Sequence, residues 1–406
     1  VALPPPYCLS KEITMAKKKS FGAGLRSVLM SSKSETVSVG FDTSELWADT
    51  GNYALNRMMS GRFNGGLLFG RNYVYFGSSG SGKSLQAAYV SAHAQRDHGA
   101  HVVWFDVERA NTGQEGTKFF QRAGIDTSDE NFSYANAATL EDINDLISKT
   151  VKFMRDAQKA GDEIQPIVFV IDSWSMALTL SQWDAAQSGV MKGDQGQKAK
   201  QTGDLITKIN HLVGGLPILV IGIAHIYDNQ EKHPATGRPI GHKYKTTGGH
   251  KLIFAASGVL MLDKKELYSD DVEDEAVSEH YEKIKEKQLA DQKKKKRIAG
   301  IISQAENLKS RVSKPFEKVA IQIPYLGGMD RYSGLYDLLM SEGVVYTPSQ
   351  GWRAFTDKDG TEVKFREKEF RQHAEQAMSV ADEDISGAAD YVHTMEEPND
   401  GEEGEV

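Results

Sequence analysis

The chain has 406 residues, 39% of them hydrophobic, a single cysteine and a formal net charge of −8. Length and apolar content suffice for a full-sized core, while one cysteine excludes internal disulfides and cysteine-built metal centres. No apolar run reaches the roughly 18 residues that a membrane helix needs, so no membrane partner is expected.

Residues 1–14 lack the basic start and apolar stretch of a secretory signal, and Met15-Ala16-Lys17-Lys18-Lys19 reads as a start of its own. The first fourteen residues are therefore expected to be a non-native or upstream leader, and a reducing, cytoplasmic setting fits the lone Cys8. Residues 15–64 mix short apolar pieces with Gly and Ser and read as a small helical N-terminal element serving oligomerisation. From Tyr73 to Asp263, buried strands (73–76, 102–105, 167–171, 218–223, 258–262) alternate with helical stretches such as 84–97 and 140–159. Continuous apolar strands separated by helices predict an α/β fold with a mainly parallel central sheet flanked by helices.

The densely charged segment 264–297 interrupts that pattern and reads as an exposed helical insertion or hairpin. Strands resume at 298–303 and 319–324, followed by a helix at 335–340. The core is expected to span 65–355, with a C-terminal helical segment at 356–379. Residues 380–406 carry ten acidic side chains and no Lys or Arg, which leaves the rest of the chain at +2 once those ten are taken from −8. An acidic disordered tail is expected there, either solubilising or competing with a polyanion for the body of the protein.

Gly77-Ser78-Ser79-Gly80-Ser81-Gly82-Lys83-Ser84 matches G-x-x-x-x-G-K-[ST] between a strand and a helix. Glycines let backbone N–H groups wrap phosphates, the helix N-terminus adds favourable dipole charge, Lys83 reaches the β- and γ-phosphates, and Ser84 ligates Mg²⁺. Ile167-Val-Phe-Val-Ile171-Asp172 supplies a buried strand whose terminal carboxylate is placed to hold the same Mg²⁺ through water. Val102-Val-Trp-Phe105-Asp106-Val107-Glu108 ends in two carboxylates. Strand alternation puts both on one side, so either could face the nucleotide as the base that orients water, or both could simply solubilise the strand end. His225, closing the strand that starts at 218, is either a γ-phosphate sensor or a buried structural histidine.

Two loops carry cations beside aromatics and glycines, a composition suited to single-stranded nucleic acid. The first, 181–201, contributes Lys192, Lys198 and Lys200; the second, 226–249, contributes Lys232, Arg238, Lys243, Tyr244 and Lys245.

These motifs, in this order, resemble the RecA family of recombinases, most closely the UvsX-type recombinases of tailed phages. The blocks that carry the likeness are Phe105-Asp-Val-Glu108, Val170-Ile-Asp-Ser173, Ile221-Gly-Ile-Ala-His225, Thr247-Gly-Gly249 and Leu326-Gly-Gly-Met-Asp-Arg-Tyr-Ser-Gly-Leu335. The resemblance implies a RecA-like P-loop ATPase core, Glu108 as general base and His225 as the γ-phosphate sensor leading into the second DNA-binding loop. It implies that Lys309 and Arg311 reach a neighbouring subunit's ATP. The aromatic that the family stacks on adenine falls here on Glu115 by simple offset; allowing for a short insertion, Phe119 takes its place. The implied function is an ATP-dependent DNA recombinase, a DNA-dependent ATPase that polymerises into a helical filament on single-stranded DNA and exchanges strands with a duplex. Mediator and single-strand-binding proteins are the implied partners, in the cytoplasm of a host cell. Two rival readings are a hexameric helicase on the same core, which the short segment before the P-loop argues against, and a non-DNA regulatory ATPase scaffold.

Overall fold

A computed structural model describes residues 21–31, 45–190, 196–228, 244–246, 249–288 and 297–383. The chain divides into two compact units, Val1–Thr43 and Ser44–Val406. In the first, helix α1 (Phe21–Met30) leaves Phe21, Leu25, Val28, Leu29 and Met30 exposed. The 15–64 element expected from sequence is therefore divided, because residues from Ser44 onwards belong to the second unit.

That unit begins with a small ribbon, β1 (Trp47–Ala48) and β2 (Leu67–Leu68), around α2 (Tyr53–Ser60). Next come β3 (Arg71–Gly77), α3 (Lys83–His98), β4 (His101–Asp106), α4 (Gly113–Arg122), β5 (Phe132–Ala135), α5 (Leu140–Ala160) and β6 (Ile167–Asp172). They are followed by α6 (Leu180–Gln187), α7 (Gln197–Val213), β7 (Ile218–Asp228), β8 (Tyr244–Thr246), α8 (Gly249–Ala255) and β9 (Gly258–Tyr268). The remainder is α9 (Glu275–Gln288), β10 (Ile298–Ser310), β11 (Lys318–Pro324), α10 (Leu335–Ser341), β12 (Tyr346–Ser349), β13 (Trp352–Thr356), β14 (Glu362–Phe365) and α11 (Phe370–Glu383).

The central sheet runs β5-β4-β6-β7-β3-β9-β10-β11, parallel from β5 to β9 and antiparallel from β9 to β11. β6 is buried at every position, as a strand covered on both faces must be. On one face α3 and Phe120 of α4 join Trp104, Tyr75 and Leu260; on the other, α5 and α7 pack Ile147, Ile206 and Ile209 against Phe105, Phe169 and Val220. Fully burying side chains of this size contributes about 1.5–3 kcal/mol each. Local signals agree with that packing: Thr139 caps α5 by accepting from Asp142 N, and Gly161 closes it at φ 82°.

Four expectations change. Segment 264–297 starts inside β9, which continues to Tyr268 with Leu267 buried; among the described residues, a 3-10 turn (Ser269–Asp271) and α9 follow before the antiparallel β10. The 181–201 loop is largely helical, since α6 occupies its start and α7 begins at Gln197. The second loop is shorter than 226–249, because β7 runs on to Asp228 and pairs with β8 through Ile226↔Thr246, Tyr227↔Lys245 and Asp228↔Tyr244. The 356–379 segment is not all helical: β14 completes a three-stranded sheet with β12 and β13 before α11, and Phe355, Phe365 and Phe370 join the α3-side core. Helix α11 runs to Glu383, and the acidic residues beyond it lie outside the described residues. Among the described residues no helix is long and apolar enough to cross a membrane.

Candidate nucleotide-binding and hydrolysis site

The Gly-rich turn joins β3 to α3 with Gly82 as N-cap at φ 94°, a left-handed conformation that favours glycine. Gly77 needs the absence of a side chain for another reason: a Cβ there would lie 2.3 Å from Leu262 O. Lys83 is buried and folds back over the turn, its Nζ donating to Gly77 O at 3.0 Å and Ser78 O at 2.7 Å. Burial pulls its pKa down, while the nearby Asp172 and Glu108 carboxylates oppose that shift.

Asp172 ends β6, 6% exposed, and accepts a hydrogen bond from the Ser84 side chain. Burial raises its pKa to about 6; the Ser84 hydrogen bond works against this, and the adjacent Glu108 and Asp106 charges add to it. A buried carboxylate flanked by others of its sign, with a hydroxyl alongside, is a donor set that suits a hard divalent cation. No group of three or more metal-ligating side chains exists among the described residues. Ser84 and Asp172 would therefore hold Mg²⁺ together with phosphate oxygens and water rather than in a protein cage.

Glu108 stands just past the end of β4. Its Oε1 accepts from Ser173 Oγ at 2.5 Å and lies 2.8 Å from His225 Nε2. The His225 hydrogen bond is the main influence holding its carboxyl below the ordinary range. An ionised carboxylate only accepts, so this contact requires the proton on His225 Nε2. His225 is fixed by strand register: β3 and β7 pair in parallel with Gly77 opposite His225, which sets the histidine level with the start of the Gly-rich turn. Ser175 adds a second anchor, its Oγ accepting from His225 N at 2.7 Å and its O accepting from Lys198 Nζ at 2.5 Å.

Asp106 and Glu108 part company. Asp106 is 1% exposed and accepts from Ala110 N, Asn111 N and Tyr134 Oη at 3.2, 2.8 and 2.5 Å, so it ties down the loop that carries Glu108. Phe119 is half-buried, edge-on to Trp104 and Phe120 with ring centroids 6.3 and 5.3 Å apart. Lys309 lies across the sheet from the turn, donating to Ile253 O and Phe254 O at 3.0 and 2.5 Å at the end of α8, and Arg311 is exposed just beyond β10. Lys198 and Lys200 lie on the first turn of α7, and Tyr244 and Lys245 on β8. Lys192, Lys232, Arg238 and Lys243 lie outside the described residues.

Sequence reasoning assigned no role to Ser173, Ser175 or Tyr134. Ser173 sits in a quoted motif block, but a serine's partner is set by the fold and leaves no periodic trace. The same holds for Lys264 and Ser303, whose contacts with the turn cross some two hundred residues of chain.

A nine-stranded, largely parallel sheet with a Gly-rich turn after one strand and carboxylates ending two others defines a RecA-like P-loop core. A family model described as "Bacteriophage T4, Recombination and repair protein, C-terminal domain" matches residues 332–379, from the approach to α10 into α11. The chain is 24% identical over 321 residues to the "Recombination and repair protein" of Enterobacteria phage T4, covering 78% of this chain and 70% of that one. It is 25% identical over 317 residues to "Protein RecA" of Bartonella bacilliformis, covering 78% and 77%, and 23% identical over 321 residues to "Protein RecA" of Paracoccus denitrificans, covering 78% and 75%. The chain is thus similar to RecA-family recombination and repair proteins, with a UvsX-like segment at residues 332–379.

Proposed function

We propose that this protein is an ATP-driven DNA recombinase whose subunits polymerise on single-stranded DNA and exchange strands with a duplex. The observation that carries the reading is the contact of Glu108 with His225, which ties the hydrolytic carboxylate to the strand that continues into the β7–β8 hairpin.

In this reading the amides of residues 77–84 and the start of α3 cradle the triphosphate, and Lys83 swings from its carbonyl partners to the β- and γ-phosphates. Mg²⁺ held by Ser84 and Asp172 supplies charge neutralisation when bound. Glu108, kept ionised by His225 and Ser173, orients the attacking water and accepts its proton. His225 registers whether the γ-phosphate is present and passes that state into the hairpin. Lys198 supports a second route, since it meets the same Ser175 that anchors His225. Lys192, Lys198, Lys200, Lys232, Arg238, Lys243, Tyr244 and Lys245 would hold the DNA, mainly by phosphate contacts that weaken with log salt. Lys309 and Arg311 complete the site of a neighbouring subunit, and Phe119 is offered for adenine.

The direct test is ATP hydrolysis with and without single-stranded DNA, alongside electron microscopy with DNA and ATP. Stimulated turnover and helical filaments are expected. Closed rings would favour a helicase, and turnover indifferent to DNA would sink the recombinase reading. Lys83→Ala should lower turnover by about a hundredfold or more while leaving the far-ultraviolet spectrum unchanged.

A further inference from the structure

The Gly-rich turn is held from outside by two residues of β9 and β10 that no part of the reading above uses. Lys264 Nζ donates to Ser79 O at 2.7 Å, and Ser303 Oγ donates to Ser81 O at 2.8 Å. Lys264 and Ser303 are direct cross-strand partners, so their side chains rise from the same face of the β9–β10 pair. Ser303 is fully buried and also accepts from Gln86 Nε2 at 3.0 Å, which joins the first turns of α3 to the same bracket. The fit is close, since a Cβ on Gly80 would lie 3.0 Å from Lys264 Nζ and one on Gly82 would lie 3.6 Å from Ser303 Oγ.

The chemistry follows from peptide geometry. In a trans peptide the C=O of one residue and the N–H of the next point in opposite directions. A hand on Ser79 O therefore aims the Gly80 N–H away from β9, and a hand on Ser81 O aims the Gly82 N–H away from β10. These are alternate peptide planes of a loop whose glycines otherwise leave them free to rotate. A turn that must present several N–H groups to one phosphate chain binds it more tightly when those planes are set beforehand.

We propose that Lys264 and Ser303 are positioning residues of the nucleotide site, a cross-strand bracket that fixes two alternate peptide planes of the turn and so presets the Gly80 and Gly82 amides for phosphate. The inference rests on residues 77–84 being a nucleotide site. Neither side chain touches the nucleotide; both act through the backbone.

The test is equilibrium binding of a fluorescent ADP analogue to the full chain, with ATPase kinetics and thermal melting on the same samples. Lys264→Ala, at an exposed position, should weaken binding by about five- to tenfold and raise KM in parallel, with kcat nearly unchanged. Lys264→Arg, which keeps a donor in reach, should recover most of the loss. Ser303→Ala should weaken binding similarly, and the double variant should lose more than either single one. Alanine variants that bind within about twofold of wild type overturn the bracket, as does a loss confined to kcat or to melting temperature. A wild-type chain that takes up no nucleotide sinks the nucleotide site itself, whereas wild-type binding matched by both variants sinks only the bracket.

Discussion

At the scale of single residues, the site buries one carboxylate beside others of its own sign. Asp172 carries the cost: a carboxyl whose pKa burial, aided by those neighbours, raises from 3.8 to about 6 loses folding stability as pH rises from about 4 to 6 and keeps that loss above it. The penalty at neutral pH is on the order of 3 kcal/mol. Asp172→Asn should therefore raise the melting temperature of the nucleotide-free protein at pH 7–8, with a smaller gain near pH 4, while removing Mg²⁺-dependent turnover. A mutant that melts no higher than wild type at neutral pH would contradict this account. Glu108 leans the other way, since His225 lowers its pKa. If Glu108 is the base, His225→Ala should shift the acid limb of the kcat/KM profile to higher pH, because that carboxyl then stays protonated further up the scale. An unmoved limb would separate Glu108 from the titration.

Among the elements, the ends of strands decide how much could be read in advance. The buried lengths of β3, β4 and β6 were legible from their continuous apolar runs, and the Gly-rich turn after β3 and the carboxylates ending β4 and β6 followed. What lay beyond those runs was not. β7 runs five residues beyond the expected stretch, Ala224 and His225 pairing with β3 and Ile226, Tyr227 and Asp228 with β8, and main-chain pairing of this kind leaves no hydropathy signal. β9 likewise hides its last five residues, Lys264 to Tyr268, in a charged stretch. Asp106 and Glu108 looked equivalent by alternation, but β4 ends at Asp106 and the turn beyond it breaks the period. Lys309 illustrates a further limit: its present partners are the α8 carbonyls, which a cation at a helix C-terminus satisfies without any neighbour. If it also serves a neighbour's nucleotide, inactive Lys309→Ala and inactive Glu108→Gln chains should complement one another. An equimolar mixture on DNA should then exceed the sum of its parts; strict additivity would assign Lys309 to α8 alone.

For the whole Ser44–Val406 unit, the short strands β12–β14 and helix α11 are integral rather than appended. Phe355, Phe365, Phe370, Ala374, Ala377, Met378 and Ala381 all belong to the core cluster that includes α3. Each of these strands has only four or five residues of mixed polarity, too short for alternation to stand out from a helical pattern. A chain cut after Glu383 should melt with wild type. One cut after Glu369 should lose at least several kcal/mol, the order expected when buried side chains of this size are removed. Equal urea midpoints for the two truncations would refute the shared core.

The register of Gly77 with His225 has a consequence for how such a chain can change over generations. Side chains alternate along a strand, so deleting one residue from the body of β7 would turn His225 to the opposite face and away from Glu108. Lengthening the span between Asp228 and Tyr244 carries no such penalty, because both strands of the stem keep their partners. Variation is thus channelled: the span between the two strands, proposed above to hold DNA, can change in length, while His225, the proposed phosphate sensor, stays locked to its rung. A lineage can alter that span without disturbing the contact between Glu108 and His225.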